Sequence, residues 1–403
     1  MTSADTSPTL VATRALLALA VVFVLLATTG WTTIRHRPVS WSSREAALAA
    51  WVRDRIDHRP LPDPAAPAGT VAAFFAGIGA ADGDRLAARH PLVVGNLDGA
   101  PVTLRYRANR ITLARAYAAE RGRVDDARLS PEGRHEALRR VDRFASLMRP
   151  GRQVLAFDPS GTGRAAEVLG DLDQARRVSV IVPGVDTNLL TFQKTQGRYG
   201  APAGMAEALY AAERRTSPRA RVAVIAWADY TAPAGLGVDA ATGRLAEEGA
   251  VRLVGLTRSL PAHARVALFC HSYGSVLCGV AAPRLPSRVT DVAVAGSPGM
   301  RVERAAELDS PARVWAMRDA DDWIADVPHL EVGGLGHGAD PVAPEFGARL
   351  LSARGAVGHG GYFEPGTESL DNFAAIGVGA YPRLVCARAD SACHDGISGA
   401  EGL

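Results

Sequence analysis

The stretch that decides the fold is Arg265-Val-Ala-Leu-Phe-Cys-His-Ser272-Tyr-Gly-Ser-Val-Leu-Cys-Gly-Val-Ala-Ala282. It begins as an apolar, β-rich run suited to a buried strand and ends in small residues suited to a closely packed helix. Between them lies Cys270-His-Ser272-Tyr-Gly274. A serine in so tight a strand-to-helix turn is lifted to the top of a sheet, and the next amide along points at a developing oxyanion. The turn accepts only small side chains two positions to either side of the serine. Gly274 meets that need, and Cys270 stands where a glycine is usual. The pattern marks Ser272 as nucleophile and the amide of Tyr273 as oxyanion donor.

Outward from this turn, short β-branched runs alternate with helical patterns from residue 152 onward. The runs are Gln153–Phe157, Arg177–Val182, Arg221–Ala226, Arg265–Phe269, Val289–Ala295 and Arg313–Met317. Helical patterns lie at Arg164–Ala175, Gly204–Arg214, Ala241–Ser259 and Ser275–Ala282. Such alternation predicts an α/β domain with a doubly wound, mostly parallel sheet, spanning residues 151–380. Before it, residues 41–150 read as a helical extension, with patterns at Trp41–Ile56, Val71–Ile78, Asn109–Arg121 and Pro131–Met148. A proline-rich link at Arg59–Pro67 interrupts them. Residues 381–403 form a C-terminal tail.

A serine hydroxyl needs a base, itself oriented by a carboxylate, and in this fold the chain order is Ser, acid, His. The last strand is followed by Arg318-Asp319-Ala-Asp321-Asp322-Trp-Ile-Ala-Asp326. Asp322 is the chosen acid, with Asp319 and Asp321 as competitors. His359, in the glycine-rich segment Val357-Gly-His-Gly-Gly-Tyr-Phe363, is the expected base; His337 and then His329 are the fallbacks. His271, a neighbour of the serine in a turn, is expected to point away. The second oxyanion donor should come after an earlier central strand. Val182-Pro-Gly-Val-Asp-Thr-Asn188 does, and the amide of Val185 is the candidate.

One pattern competes. Gly161-Thr-Gly163-Arg-Ala-Ala166 comes after a strand and opens a predicted helix, as a dinucleotide fingerprint would. However, Asp158-Pro-Ser160 separates strand from glycine, and Asp-Pro-Ser-Gly reads well as a β-turn. Nucleotide binding is therefore the weaker reading.

The 403 residues carry 45 Lys and Arg against 42 Asp and Glu, and aromatics make up only 6%. That balance gives no electrostatic or stacking case for nucleic acid. Ala15–Ile34 holds no charged residue and is long enough to cross a bilayer, so residues 1–40 read as a membrane anchor, with a cleaved signal as the alternative. The catalytic domain is then expected outside the cytosol. There, Cys386 and Cys393 can close a small loop, whereas Cys270 and Cys278 are expected as buried, unpaired small hydrophobes.

Several motifs together resemble an actinobacterial family of α/β hydrolases long catalogued as a domain of unknown function. They are His90–Gly99 with Arg107-Ala-Asn109, Phe157–Arg164, Val182-Pro-Gly184, His271–Gly274, Gly296-Ser-Pro-Gly299, and Gly358–Phe363 with Glu368-Ser-Leu370. The resemblance spans most of residues 85–378 and implies Ser272 as nucleophile, His359 as base and an acid within Asp319–Asp322. Cys270 departs from the glycine usual in that family. The expectation is a serine hydrolase that cleaves an ester (or amide) through an acyl-enzyme, esterase- or lipase-like, acting on a small-molecule or lipid ester without metal or cofactor. The alternative is a non-catalytic scaffold that binds a ligand or partner in the same cleft.

Overall fold

The computed structural model describes residues 43–387 and 391–397. The expected anchor at Ala15–Ile34 lies outside them. No helix among the described residues is long and apolar enough to cross a membrane.

The helical extension begins with α1 (Ser43–Arg53), α2 (Ala68–Ile78) and α3 (Ala80–Arg89), followed by the long α4 (Val102–Val124) and α5 (Pro131–Leu147). The helix read at Trp41–Ile56 stops at Arg53, because Asp57 and His58 take left-handed conformations and turn the chain into a two-residue hairpin. The start of α5 is set locally. Ser130 accepts a hydrogen bond from the Gly133 amide at 3.1 Å, and Pro131 occupies the first turn, where a missing N–H does no harm. Trp51, Phe75, Leu86 and Val94 form this region's own core.

The main sheet has eight strands: β1 (Gln153–Asp158), β2 (Arg164–Gly170), β3 (Arg177–Val182), β4 (Val222–Ala228), β5 (Arg265–His271), β6 (Val289–Ala295), β7 (Arg313–Met317) and β8 (Arg349–Leu350). Their order is β8-β7-β6-β5-β3-β4-β2-β1. All neighbours are parallel except β1–β2 and β2–β4. Helices α7 (Arg244–Ser259) and α8 (Tyr273–Ala281) pack on one face, α6 (Pro202–Thr216) and α9 (Glu368–Val378) on the other. The doubly wound α/β sheet expected from the alternation is therefore present.

One predicted element is wrong. Arg164–Ala175 reads as a helix, but Arg164–Gly170 is strand β2, paired antiparallel on both sides. Alanine, glutamate and leucine give this segment a helical composition, and two flanking strands with unpaired backbone override it. Without a helix after Gly163, the dinucleotide fingerprint has no helix N-terminus to offer a phosphate.

Edge strand β1 is covered by the extension. Asn96 brackets Phe157, donating to its carbonyl at 2.9 Å and accepting from its amide at 3.1 Å, and buried Asn109 donates to the Val154 carbonyl at 3.0 Å. Two short polar side chains thus satisfy backbone groups that an open edge would leave free.

In register, Val182 of β3 lies beside Cys270 of β5, and Cys270 beside Val294 of β6. The segments after these strands emerge along one edge, where ligands bind in such sheets.

All four cysteines are paired. Cys386 and Cys393, whose pairing the sequence leaves open, are joined. Cys270–Cys278 corrects the expectation of unpaired thiols: their Cα atoms are 6.5 Å apart and a disulfide joins them. The reason is the reversal at Ser272. It lays α8 back against the end of β5, so that two buried cysteines eight positions apart face each other.

Candidate active site

The turn at Ser272 is strained. Its φ of 55° and ψ of −130° lie outside the regions an L-residue prefers, which costs about 1–3 kcal/mol. The surroundings hold it there. The Ser272 amide donates to the Ala295 carbonyl at 3.0 Å, and Ser275 donates to the Ser272 carbonyl through its hydroxyl at 2.6 Å. A Cβ at Gly274 would lie 2.2 Å from the Val182 carbonyl oxygen, so only glycine lets the first turn of α8 approach β3 this closely. The disulfide beside the serine ties the strand before the turn to the helix after it.

His359 sits in the 3-10 turn Gly358–Phe363 and reaches both other candidates. Its Nε2 is 2.8 Å from Ser272 Oγ, and its Nδ1 is 2.8 Å from Asp322 Oδ1. Asp322 is almost fully buried and makes two further bonds: Oδ1 accepts from the Ile324 amide at 3.0 Å, and Oδ2 accepts from the Tyr362 hydroxyl at 2.5 Å. Burial pushes its carboxyl upward in pKa, but the bonds from His359, Tyr362 and Ile324 outweigh it and hold the group below its ordinary value. Asp322 is thus kept ionised beside the imidazole.

The competitors fall elsewhere. Asp319 accepts the Gly358 amide at 2.9 Å, fixing the start of the His359 turn, and Asp321 is exposed. His337 is buried, with its Nε2 2.7 Å from the Ala240 carbonyl; His329 lies 3.3 Å from the Ser297 carbonyl. Neither forms a hydrogen bond with Ser272.

His271 does not point away. Its ring lies 4.9 Å from that of His359, and its Nε2 is 2.6 Å from the His359 carbonyl oxygen. Because β5 still holds His271 in its extended geometry, its side chain projects toward the His359 turn. Burial, reinforced by the nearby His359, lowers its pKa to about 4, so the ring is neutral and donates.

Gly184 passes directly over the serine: a Cβ there would come within 2.5 Å of Ser272 Cβ. The backbone just before Val185 therefore runs close to the serine side chain. Tyr230 donates to the Pro183 carbonyl at 2.6 Å, and the Asp186 amide donates to Pro233 at 2.8 Å. These bonds fasten the loop that bears Val185. Tyr273 opens α8, where first-turn amides have no partner within the helix.

Tyr362, Tyr230 and Gly296 were not assigned roles from sequence. A Cβ at Gly296 would fall 2.7 Å from Asp322 Oδ2 and 3.1 Å from His359 Nδ1. Gly296 and Tyr362 both lie in family motifs; Tyr230 had no such signal. Trp323, 40% exposed, places its ring 4.6 Å from that of His359.

A family model described as alpha/beta hydrolase matches residues 158–332, a span that holds Ser272 and Asp322. An uncharacterized protein of Mycobacterium tuberculosis is 26% identical over 79% of this chain and 57% of its own length. This chain therefore spans little more than half of that relative. An uncharacterized protein of Mycobacterium bovis is 32% identical over 49% of this chain and 72% of its own. Among solved structures, a dienelactone hydrolase from Anabaena variabilis is similar over 44% of this chain and 78% of its own, with 18% identity and a TM-score of 0.30. A likeness that slight says nothing about substrate.

Proposed function

Because this chain belongs to the α/β-hydrolase family, we propose that it is a serine hydrolase that cleaves an ester through an acyl-enzyme. The observation that supports this most is the continuous hydrogen-bonded path from Ser272 Oγ through His359 to Asp322. In the proposed sequence, His359 Nε2 takes the Ser272 proton as Oγ attacks the acyl carbon. The Val185 and Tyr273 amides bind the oxyanion, each donor contributing roughly 3 kcal/mol to the transition state. Collapse expels the alcohol, which receives the proton from His359. A water then attacks the acyl-enzyme, gives its proton to His359, and releases the acid while Ser272 regains its hydrogen. Asp322 holds the imidazole in the tautomer this requires and stabilises its charged form.

The proposal includes location. All four cysteines are paired, which fits an oxidising compartment. The charge-free run Ala15–Ile34 supplies a means of tethering the domain at a membrane. A tether and an exposed tryptophan ring beside His359 favour acyl esters over peptides.

The test is pre-steady-state hydrolysis of p-nitrophenyl esters by the full chain. A burst of nitrophenol stoichiometric with enzyme is expected, with p-nitrophenyl butyrate turned over. A folded sample showing neither burst nor turnover across acyl lengths from acetate to palmitate would overturn the proposal.

A further inference from the structure

Away from Ser272, a cavity of about 450 Å³ is lined by residues 193–196 together with Arg143, Ser146 and Arg149. The lining carries three cationic side chains, Arg143, Arg149 and Lys194, and no carboxylate. Among the described residues none of the three forms an ion pair. Nearby Arg152 is different, because Glu167 neutralises it. Asp142 lines an adjoining recess with Arg139 and Arg143.

Arg143 is the centre of this site. Its guanidinium donates to the Leu190 carbonyl at 2.9 Å and to the Gln193 carbonyl and side-chain oxygen, all neutral acceptors. Its Nε is inaccessible and has no acceptor. A partly buried charge is normally balanced by an opposite charge; here, burial and the adjacent Arg152 lower the pKa of Arg143 instead. Polar neutral groups complete the lining: Ser146, Thr195 and the two glutamines.

We propose that this cavity is a binding site for a phosphoryl oxyanion, carried either by a soluble phosphate ester or by a lipid headgroup. An oxyanion supplies the missing counter-charge, accepts from Arg and Lys donors, and meets hydroxyl and amide groups at its rim. The site is separate from Ser272 and His359 but is joined to both by one segment. That segment leaves β3 at Gly184 against Ser272 and lines the cavity at 193–196. It then returns at Arg198–Gly200 to the Gly358–Phe363 turn that carries His359. An anion held there would order a loop with one end at the candidate oxyanion donor and the other at the candidate base.

Lys194 is the only lysine in the chain, so its side chain can be read alone by amine footprinting. The full chain is treated with a limiting acetylating reagent, and acetylation of Lys194 is measured by peptide mass, with the chain's α-amino group as internal reference. Inorganic phosphate or glycerol phosphate should slow Lys194 acetylation at least fivefold, relative to sodium chloride of equal ionic strength. Protection by these soluble ions identifies a free phosphoryl ligand. Protection only by phosphatidylglycerol vesicles, and not by phosphatidylcholine vesicles, identifies a headgroup. Arg149→Gln, at an exposed position, should raise the phosphate concentration needed for half protection at least fivefold. Protection by phosphate or anionic vesicles no greater than by matched chloride would overturn the proposal.

Discussion

Two glycine-bearing turns at the top of the sheet come after strands and look alike in sequence, yet they do opposite things. The turn after β1 places Gly161 and Gly163 in left-handed conformations and reverses the chain into strand β2. The turn after β5 puts a non-glycine residue, Ser272, at positive φ and sends the chain into helix α8. The first uses glycines to make an easy reversal. The second keeps its glycine, Gly274, at an ordinary φ for close approach and places the strain on the serine itself. Strain in the second turn persists because β6, Ser275 and the Cys270–Cys278 bridge all hold it, which is how a strained residue at a functional site survives. Lone glycines mark where a chain can turn. Whether the turn can do chemistry depends on the element it leads into and on the contacts that pin it.

The largest effect expected from breaking the pinned turn's partners is on catalysis. His359→Ala should lower kcat for an activated ester by about 10⁴-fold with the fold intact, since loss of a triad member leaves only binding and oxyanion stabilisation. Circular dichroism alongside the kinetics checks this.

The glycines themselves sharpen the contrast. Gly274→Ala would drive a Cβ to 2.2 Å from a backbone carbonyl. It should destabilise the protein by about 2–3 kcal/mol, as overpacking does, and depress esterase activity with it. Gly161→Ala meets nothing within 4 Å and faces only the left-handed backbone, a cost of roughly 1–2 kcal/mol. Denaturant melts of the two variants should rank them in that order, and Gly161→Ala should keep full activity per folded molecule.

The disulfides offer a matched pair. Replacing both Cys270 and Cys278 by serine should cost about 2 kcal/mol of stability and slow acylation of Ser272, measured by stopped flow. Replacing Cys386 and Cys393 should leave acylation unchanged, because that loop lies against β8 through Leu351 and Arg349. Equal acylation in both double variants would remove the bridge at the serine from the site's support.

Tyr362→Phe removes one bond to the Asp322 carboxylate and should lower kcat/KM about tenfold, the scale of a hydrogen bond to a charged group. Smallest in catalysis, but visible in stability, is Glu213, buried beneath β3 with its pKa raised by burial to about 8. The folded state then binds a proton that the unfolded state, titrating near 4.5, has released. Stability from this group is fully present below pH 4.5 and is lost as the pH rises through about 8. Glu213→Gln should flatten the fall in Tm across that window without altering ester turnover at neutral pH.

Much of the fold was legible because strands buried on both faces announce themselves: six of the runs read from sequence are strands of the main sheet. β2 was not, since alanine-rich composition cannot reveal that two edges need pairing. The geometry joining Ser272, Asp322 and His359 was readable from chain order and turn context. His271, Tyr362 and Tyr230 were not, because their roles depend on contacts 88, 40 and 47 residues away. The pairing of Cys270 with Cys278 was hidden for a similar reason, as spacing alone does not show that α8 doubles back on β5.

The central claim is that Ser272 is an activated nucleophile, and a fluorophosphonate probe tests it most directly. Treated at neutral pH and digested, the protein should carry the label on the peptide containing Ser272, with none in Ser272→Ala and little in His359→Ala. No label at Ser272 in a folded sample, or undiminished labelling in His359→Ala, would contradict the mechanism.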